Sequence, residues 1–588
     1  MLNELIVLKK LWVHFPQNRK KEFFFLFLLM ILGSISEFFS IGLIVPLLTA
    51  ITNPNLVFDN IYIIPFIRFL DITSNEQLII FMIFTFILFA VFSGTVRILL
   101  IYQISNFSYL SGADLSVKIY SNIIHQDFEN IQEYPSNDLI SLLTNKCRLV
   151  ISSVIYPFVN IIASSLIGIF IICLLIIVEP MISLLLLSSF VFLYLIIIKV
   201  SRINLLSNSE IISKNHSKLI QIIQNSFGGI RDIIMHSSQN FLINEYKKLD
   251  YELQRAEAKN LFTGQSPKYF LESLSIVIFS LVIYFLSING NQINNYIPTI
   301  AIIAFSAQRL LPLIQQIYYG VSSVRGVNES LSDVINSLNL KVKTKTSYNK
   351  SLVFKKSIIL KNISFKYKGS EIEVLKNINI QIEKGDFVGI IGESGSGKST
   401  LLDIFMGFLT PSSGNVYIDN KILNVETSKK WHCNFSHVPQ NTFLIDDSII
   451  NNIIFFNKDH RIDDELIKRS IDLACLSKLV DKLPNKILSR TGELGSKLSG
   501  GERQRINIAR AIYNNSKIFI FDEATSSLDS RTENQIMKNL YDLKKEKTII
   551  MVSHKINTLK NCNKIYRLKD GKLNYLGGFK SAQKKIND

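Results

Sequence analysis

The sequence predicts an α-helical membrane domain of six spans followed by an α/β domain built on a phosphate-binding loop, and three observations carry that prediction. Hydrophobic residues make up 48% of the 588 positions and concentrate before residue 325; beyond it apolar and charged residues alternate as in a soluble α/β domain. Six stretches in the apolar part approach or exceed the roughly 20 residues that cross a bilayer. One glycine-rich segment, Gly392 to Thr400, lies between an apolar run (Phe387, Val388, Ile390, Ile391) and a helix-like one (Leu401, Leu402, Ile404, Phe405), which is the strand, loop and helix order of a phosphate cradle.

In chain order, residues 1–21 set Lys9, Lys10, Arg19, Lys20 and Lys21 around Ile6, Val7, Leu11, Trp12 and Phe15, a mix that suits a short amphipathic helix lying on the inner membrane face. The apolar stretch that follows runs on to residue 51, longer than a cleaved signal, and more spans come after it. The expected spans are 22–51, 77–104, 149–178, 181–199, 270–289 and 297–320, with Glu179-Pro180 as a tight turn between the third and fourth. The short outer segments hold one basic residue, Arg68, whereas 199–268 hold ten, so the positive-inside rule puts both termini in the cytoplasm. The long inner segments 105–148 and 200–269 have helical periodicity, so helices should continue well beyond the membrane. The expected divisions are a transmembrane domain over 1–325, a Lys-, Ser- and Asn-rich linker over 326–355, and the α/β domain over 356–588.

The net charge of +17 is scattered, with no dense basic tract interleaved with aromatics, which argues for anionic lipid headgroups or an anionic substrate and against nucleic acid. The five cysteines form no close-spaced pair, so neither a zinc site nor a disulfide framework is expected.

The chemistry is concentrated in the second half. In Gly392-Glu393-Ser394-Gly395-Ser396-Gly397-Lys398-Ser399-Thr400, glycines without a Cβ let backbone N–H groups close on phosphate oxygens; Lys398 can reach the β- and γ-phosphates and the Ser399 hydroxyl can ligate Mg²⁺. Ile518-Phe519-Ile520-Phe521-Asp522-Glu523 reads as a buried strand ending in two carboxylates, one suited to holding Mg²⁺ through its water shell and one to polarising a water. Between them stands Leu498-Ser499-Gly500-Gly501-Glu502-Arg503-Gln504-Arg505.

With that signature the sequence resembles the ATP-binding cassette (ABC) family, and the six spans ahead of it resemble the ABC exporter fold. The resemblance implies ATP and Mg²⁺ as cofactors, with Glu523 and His554 catalytic and Tyr367 stacked on adenine. It also implies Gln440 as the Q-loop glutamine that joins Ser399 and Asp522 around the metal, and Asp529 in the D-loop. Ser499, Gly500, Gly501 and Glu502 would complete the site of a second cassette; Glu502 stands where glutamine is commoner in the family. One cassette per chain then implies a homodimer with two ATP sites. Segments near Gln126 to Tyr134 and Gly228 to Ile233 resemble the coupling helices that rest on the ATPase, and Thr491-Gly492-Glu493-Leu494-Gly495 resembles the exporter X-loop. The implied location is the bacterial inner (plasma) membrane.

Substrate choice lies in the spans. Arg97, Lys268 and Arg309 interrupt or border them, and an arginine in hydrocarbon costs about 2.5 to 3.5 kcal/mol on insertion scales. Facing a cavity they suit an anionic headgroup; the alternative is snorkelling, or pairing with Glu37 or Glu272. The first span, the outer loop and Arg309-Leu310-Leu311-Pro312 resemble the bacterial flippases of lipid-linked oligosaccharides, although Gln315 and Gln316 stand where a second basic residue is expected. That resemblance implies an anionic glycolipid as substrate and membrane lipids as partners. Multidrug, lipid A and peptide exporters are the rival readings; peptide exporters often carry an N-terminal cysteine protease, and no cysteine precedes Cys147.

Overall fold

The computed structural model describes residues 9–58, 64–69, 71–178, 180–288, 297–340, 352, 354–456, 462–543 and 546–587. The chain divides into two compact units, Met1–Gln126 with Asn130–Lys343, and Asp127–Glu129 with Thr344–Asp588.

The first unit is helical. Its helices are α1 (Gln17–Gly42), α2 (Ile44–Thr52), α3 (Asn75–Ile124), α4 (Tyr156–Val178), α5 (Pro180–Gly228), α6 (Gln239–Ile288), α7 (Ile297–Gly326) and α8 (Asn328–Leu338). Five of the expected spans fall on these helices over their described residues, and 149–178 runs through the short helical segments Cys147–Val150 and Ile151–Ile155 into α4; Glu179 and 289–296 lie outside the described residues. Four helical segments, Gln17–Thr52, Asn75–Ile124, Ser136–Val178 and Ile300–Gly326, are long and apolar enough to cross a membrane among the described residues. The first span breaks between α1 and α2 because Pro46 has no N–H to give the Gly42 carbonyl and its ring crowds it; in the first turn of α2 the missing donor costs nothing. α3 starts on a capping box in which Ser74 and Gln77 satisfy one another's backbone N–H groups, and it runs 50 residues, far more than a bilayer needs. Short helices at Phe128–Gln132 and Ile230–Met235 occupy the two segments expected to carry coupling helices.

One expectation is corrected. The linker of 326–355 begins with α8, whose Leu331, Val334, Ile335 and Leu338 are buried in one cluster with Leu115 and Ile119 of α3 and with Val150. Asn122 donates to the last carbonyls of α8 at Ser337 (3.3 Å) and Leu338 (3.1 Å), and Lys146 binds Asp333 at 2.6 Å. The Leu, Val, Ile, Leu spacing at i, i+3, i+4 and i+7 is a helix period that the polar composition around it obscured. Residues 341–351 and 353 lie outside the described residues, and Phe354 is already buried in the core of the second unit.

The second unit holds two sheets. β1 (Ser357–Phe365), β2 (Leu375–Glu383), β4 (Ser413–Ile418) and β5 (Lys421–Ile422) form an antiparallel sheet in the order β2-β1-β4-β5. β3 (Phe387–Gly392), β6 (Phe435–Val438), β7 (Ile518–Asp522), β8 (Thr548–Ser553), β9 (Lys564–Lys569) and β10 (Lys572–Gly577) form the other, in the order β10-β9-β3-β8-β7-β6; all its pairs are parallel except the β10 edge. Alternate residues of the central strands serve two cores. Val388, Ile390, Ile518, Ile520, Ile550 and Val552 pack with helix α9 (Lys398–Met406) and the antiparallel sheet. Phe387, Phe519, Phe521, Ile549 and Met551 pack with helix α10 (Gly500–Asn514) and helix α11 (Ser530–Leu543). Burial on both faces is why these strands read as unbroken apolar runs.

Candidate ATP site

β8 lies between β3 and β7 with Ile391 beside Ser553 and Val552 beside Asp522, so three parallel strands end together. In an open α/β sheet the crevice beyond the strand ends is where ligands bind. The glycine-rich loop leaves β3 there, Asp522 ends β7 with Glu523 next to it, His554 follows β8, and Gln440 follows β6 beside β7.

The loop has the backbone that its glycines permit. Gly395 and Gly397 have φ of 78° and 100°, and a Cβ on Gly392 would stand 2.6 Å from the Leu568 carbonyl oxygen. Gly397 caps α9, so the helix N-terminus opens onto the loop. Lys398 is 7% exposed, and its ammonium donates to the carbonyls of Gly392 (2.9 Å) and Glu393 (2.8 Å) with Glu523 3.9 Å away. Burial lowers its pKa, against the pull of Glu523 and Asp522.

Glu523 is the meeting point. Oε2 accepts from the Gln440 amide at 2.7 Å, and Oε1 lies 2.5 Å from His554 Nε2. Its φ of 50° is a left-handed conformation that a glutamate rarely takes, and its N–H is held by the Val552 carbonyl at 3.0 Å. Burial, then the adjacent Glu523 charge, raises the pKa of Asp522, while Lys398 and a hydrogen bond from Ser399 oppose the rise. Ser399 and Asp522 thus put a hydroxyl and a carboxylate side by side, a hard oxygen pair that fits Mg²⁺. Asp403, one turn into α9, is pushed up to about 6 by burial and by Asp522.

Tyr367 sits on the same side of the loop: its hydroxyl bonds Thr400 Oγ1 at 2.9 Å, its ring stands edge-on to Phe365, and it is 41% exposed. The signature is elsewhere, at the start of α10. There Ser499 accepts from the Glu502 N–H while Glu502 accepts from the Ser499 N–H at 2.8 Å, a capping box that glutamate serves as well as glutamine. Asp529 caps α11 by accepting from Thr532 N–H at 2.9 Å.

Sequence reasoning assigned no role to Gln504. Buried in α10, it donates to the Glu523 carbonyl (3.3 Å) and Ser526 Oγ (3.4 Å), and its Oε1 accepts from Ser527 N (3.2 Å) and Oγ (2.5 Å). A buried amide that uses both its ends is invisible without the β7 turn beside it.

In the first unit, Arg97 of α3 and Arg309 of α7 share one carboxylate oxygen, Glu37 Oε1 of α1, at 3.4 and 3.6 Å. Glu37 is 6% exposed while the arginines are 38% and 49% exposed, so the cluster is one positive charge in excess. Lys268 pairs instead with Glu272 at 3.7 Å. Gln315 and Gln316 are tied into helix packing: Gln315 donates to the Gly264 carbonyl (2.9 Å), and Gln316 accepts from Ser164 (2.7 Å).

Known families match both units. The family model of the ABC transporter transmembrane region covers residues 22–313 and that of the ABC transporter covers 375–526. The chain is 36% identical over 279 residues to the alpha-hemolysin translocation ATP-binding protein HlyB of Escherichia coli, a match that spans 47% of this chain and only 38% of that protein. It is 26% identical over 482 residues to a putative export ATP-binding/permease protein of Rickettsia bellii, covering 80% of this chain and 81% of that protein. An ATP-dependent lipid A-core flippase of Vibrio vulnificus is 36% identical over 217 residues, 37% of each chain. The solved structure of a bacterial Atm1-family ABC exporter with ATP bound superposes with a TM-score of 0.76 at 18% identity, covering 96% of each chain. From these matches and the two-unit fold, the chain belongs to the ABC transporters and has their exporter-type fold.

Proposed function

We propose that this chain is one half of an ATP-driven exporter of the bacterial inner membrane, with both termini cytoplasmic, working as a homodimer that moves an anionic glycolipid such as a lipid-linked oligosaccharide to the outer leaflet. The observation that carries the ATPase reading is the convergence of Lys398, Gln440 and His554 on Glu523. In this reading Tyr367 stacks on adenine and residues 392–400 cradle the triphosphate, with Lys398 on its β- and γ-phosphates. Ser399, Asp522 and Gln440 would hold Mg²⁺, which would neutralise phosphate charge. Glu523 orients a water and takes its proton while His554 fixes the carboxylate from the other side. Ser499, Gly500 and Gly501 of the second copy supply a hydroxyl and backbone N–H groups to the γ-phosphate. Binding ATP joins the cassettes and hydrolysis parts them, which moves the membrane halves between inward and outward openings.

The excess charge at Glu37, Arg97 and Arg309 supports an anionic substrate. The names of the relatives, a toxin translocator and a lipid A-core flippase, keep a peptide and a lipid A substrate as rival readings. Glu523→Gln tests the ATPase reading: it keeps the shape and the Gln440 contact and removes only the base. ATP binding is expected to persist while turnover falls about 10²-fold or more. Near-normal hydrolysis would overturn the assignment.

A further inference from the structure

Where the N-terminal segment meets the spans, a cavity of about 300 Å³ is lined by Trp12, Phe15, Phe23, Phe107, Ile162 and their apolar neighbours, with Lys9 the one charged side chain on its lining among the described residues. The rings form its wall: Trp12 stands edge-on to Phe15 and Phe23, with centroids at 5.6 and 5.1 Å, and Phe23 lies 5.5 Å from Phe107. Small-molecule sites have this volume and this balance of an apolar interior with few polar groups.

Its height in the fold identifies the occupant. Phe23 opens the first span, Phe107 follows the last apolar stretch of α3, and Ile155 lies in the first two turns of the third span, so the cavity opens at the basic end of three spans and reaches inward to Ile162. Arg19 is neutralised there by Glu22 (2.6 Å) and Asp114 (2.7 Å), whereas Lys9, Lys10 and Lys21 are exposed around the same end. A protein cavity that is aromatic within and cationic at its mouth, at the level of the headgroups, complements a chain attached to an anionic head. We propose that this cavity holds an acyl chain of an anionic phospholipid of the surrounding leaflet, with Lys9 and Lys10 on its phosphate. The site fixes the N-terminal segment to α1, α3 and α4 and is separate from the Glu37 cluster.

The protein carries two tryptophans, and Trp431 is fully buried in the cassette, so quenching by a brominated acyl chain reports Trp12. The full chain is reconstituted in vesicles of phosphatidylcholine containing increasing fractions of chain-brominated phosphatidylglycerol, or of chain-brominated phosphatidylcholine. Half-maximal quenching is expected at a fraction of the brominated phosphatidylglycerol lower by about fivefold or more, since each basic side chain near an anionic surface supplies about that preference. Lys9→Glu with Lys10→Glu, both on exposed positions, should abolish that preference. Ile162→Phe, which fills the cavity, should weaken quenching by both lipids in protein whose thermal midpoint is unchanged. Equal quenching by the two lipids in the native chain, or a preference that survives the double charge reversal, overturns the proposal.

Discussion

At the scale of single residues the site is a set of carboxylates held in unlike environments. Glu523 is tied by two side chains, Asp522 carries the charge of its neighbour, and Asp403 lies behind them, its pKa raised from 3.8 to about 6. A carboxyl that holds its proton more tightly folded than unfolded costs nothing below pH 4. Its ionisation then erodes stability as the pH rises from about 4 to about 6, and the penalty is constant above. Asp403→Asn is therefore expected to melt higher than the native chain at pH 7.5, and this gain should shrink to nothing as the pH is lowered through 6 toward 4. Thermal unfolding across that range checks it, and a pH-independent difference would show that burial does not strain the group. The motifs were legible because each is a contiguous run. Asp403 and Gln504 were not, because what matters about them is the neighbour that strand register supplies.

At the scale of elements, α8 shows how composition can hide a helix. Lys341, Lys343, Lys345 and Lys350 drew the whole of 326–355 into a linker, yet Leu331 is 1% exposed in a core it shares with α3. Leu331→Ala should cost about 2 to 5 kcal/mol, the usual range for emptying a buried leucine position, while an alanine in a true linker would cost almost nothing. A lowered thermal midpoint of the full chain in detergent, with ATP affinity retained, is the expected result. The spans, in contrast, were readable as helices. A bilayer imposes a length and a composition on each, whereas the helical extensions beyond it obey only an amphipathic period.

At the scale of the whole molecule the substrate reading rests on three helices meeting at Glu37. The sequence offered cavity and ion pair as alternatives for Arg97 and Arg309; the geometry shows the ion pair, with two guanidiniums on one carboxylate oxygen. Removing both arginines would leave Glu37 buried and unpaired, a penalty of about 3 to 5 kcal/mol. The informative variant is therefore Glu37→Gln with Arg97→Gln and Arg309→Gln, which removes the cluster as a unit. It is expected to keep basal ATP hydrolysis in detergent and to lose transport of a lipid-linked oligosaccharide in reconstituted vesicles. Transport at the native rate in folded protein would make the cluster structural.

The four hydrogen bonds of Gln504 carry a consequence for timing. The amide fastens the turn that carries Glu523 to the helix that Ser499 caps. In a head-to-tail pair of cassettes, Glu523 serves the nucleotide on its own chain and Ser499 the nucleotide on the other. A shift of that turn on hydrolysis at one nucleotide would reach, through the Gln504 side chain, the hydroxyl proposed to cover the second. In the proposed dimer the two sites are therefore expected to fire as an escapement rather than as two independent clocks, and Gln504→Ala, which cuts the link, is expected to remove cooperativity in ATP from the hydrolysis rate.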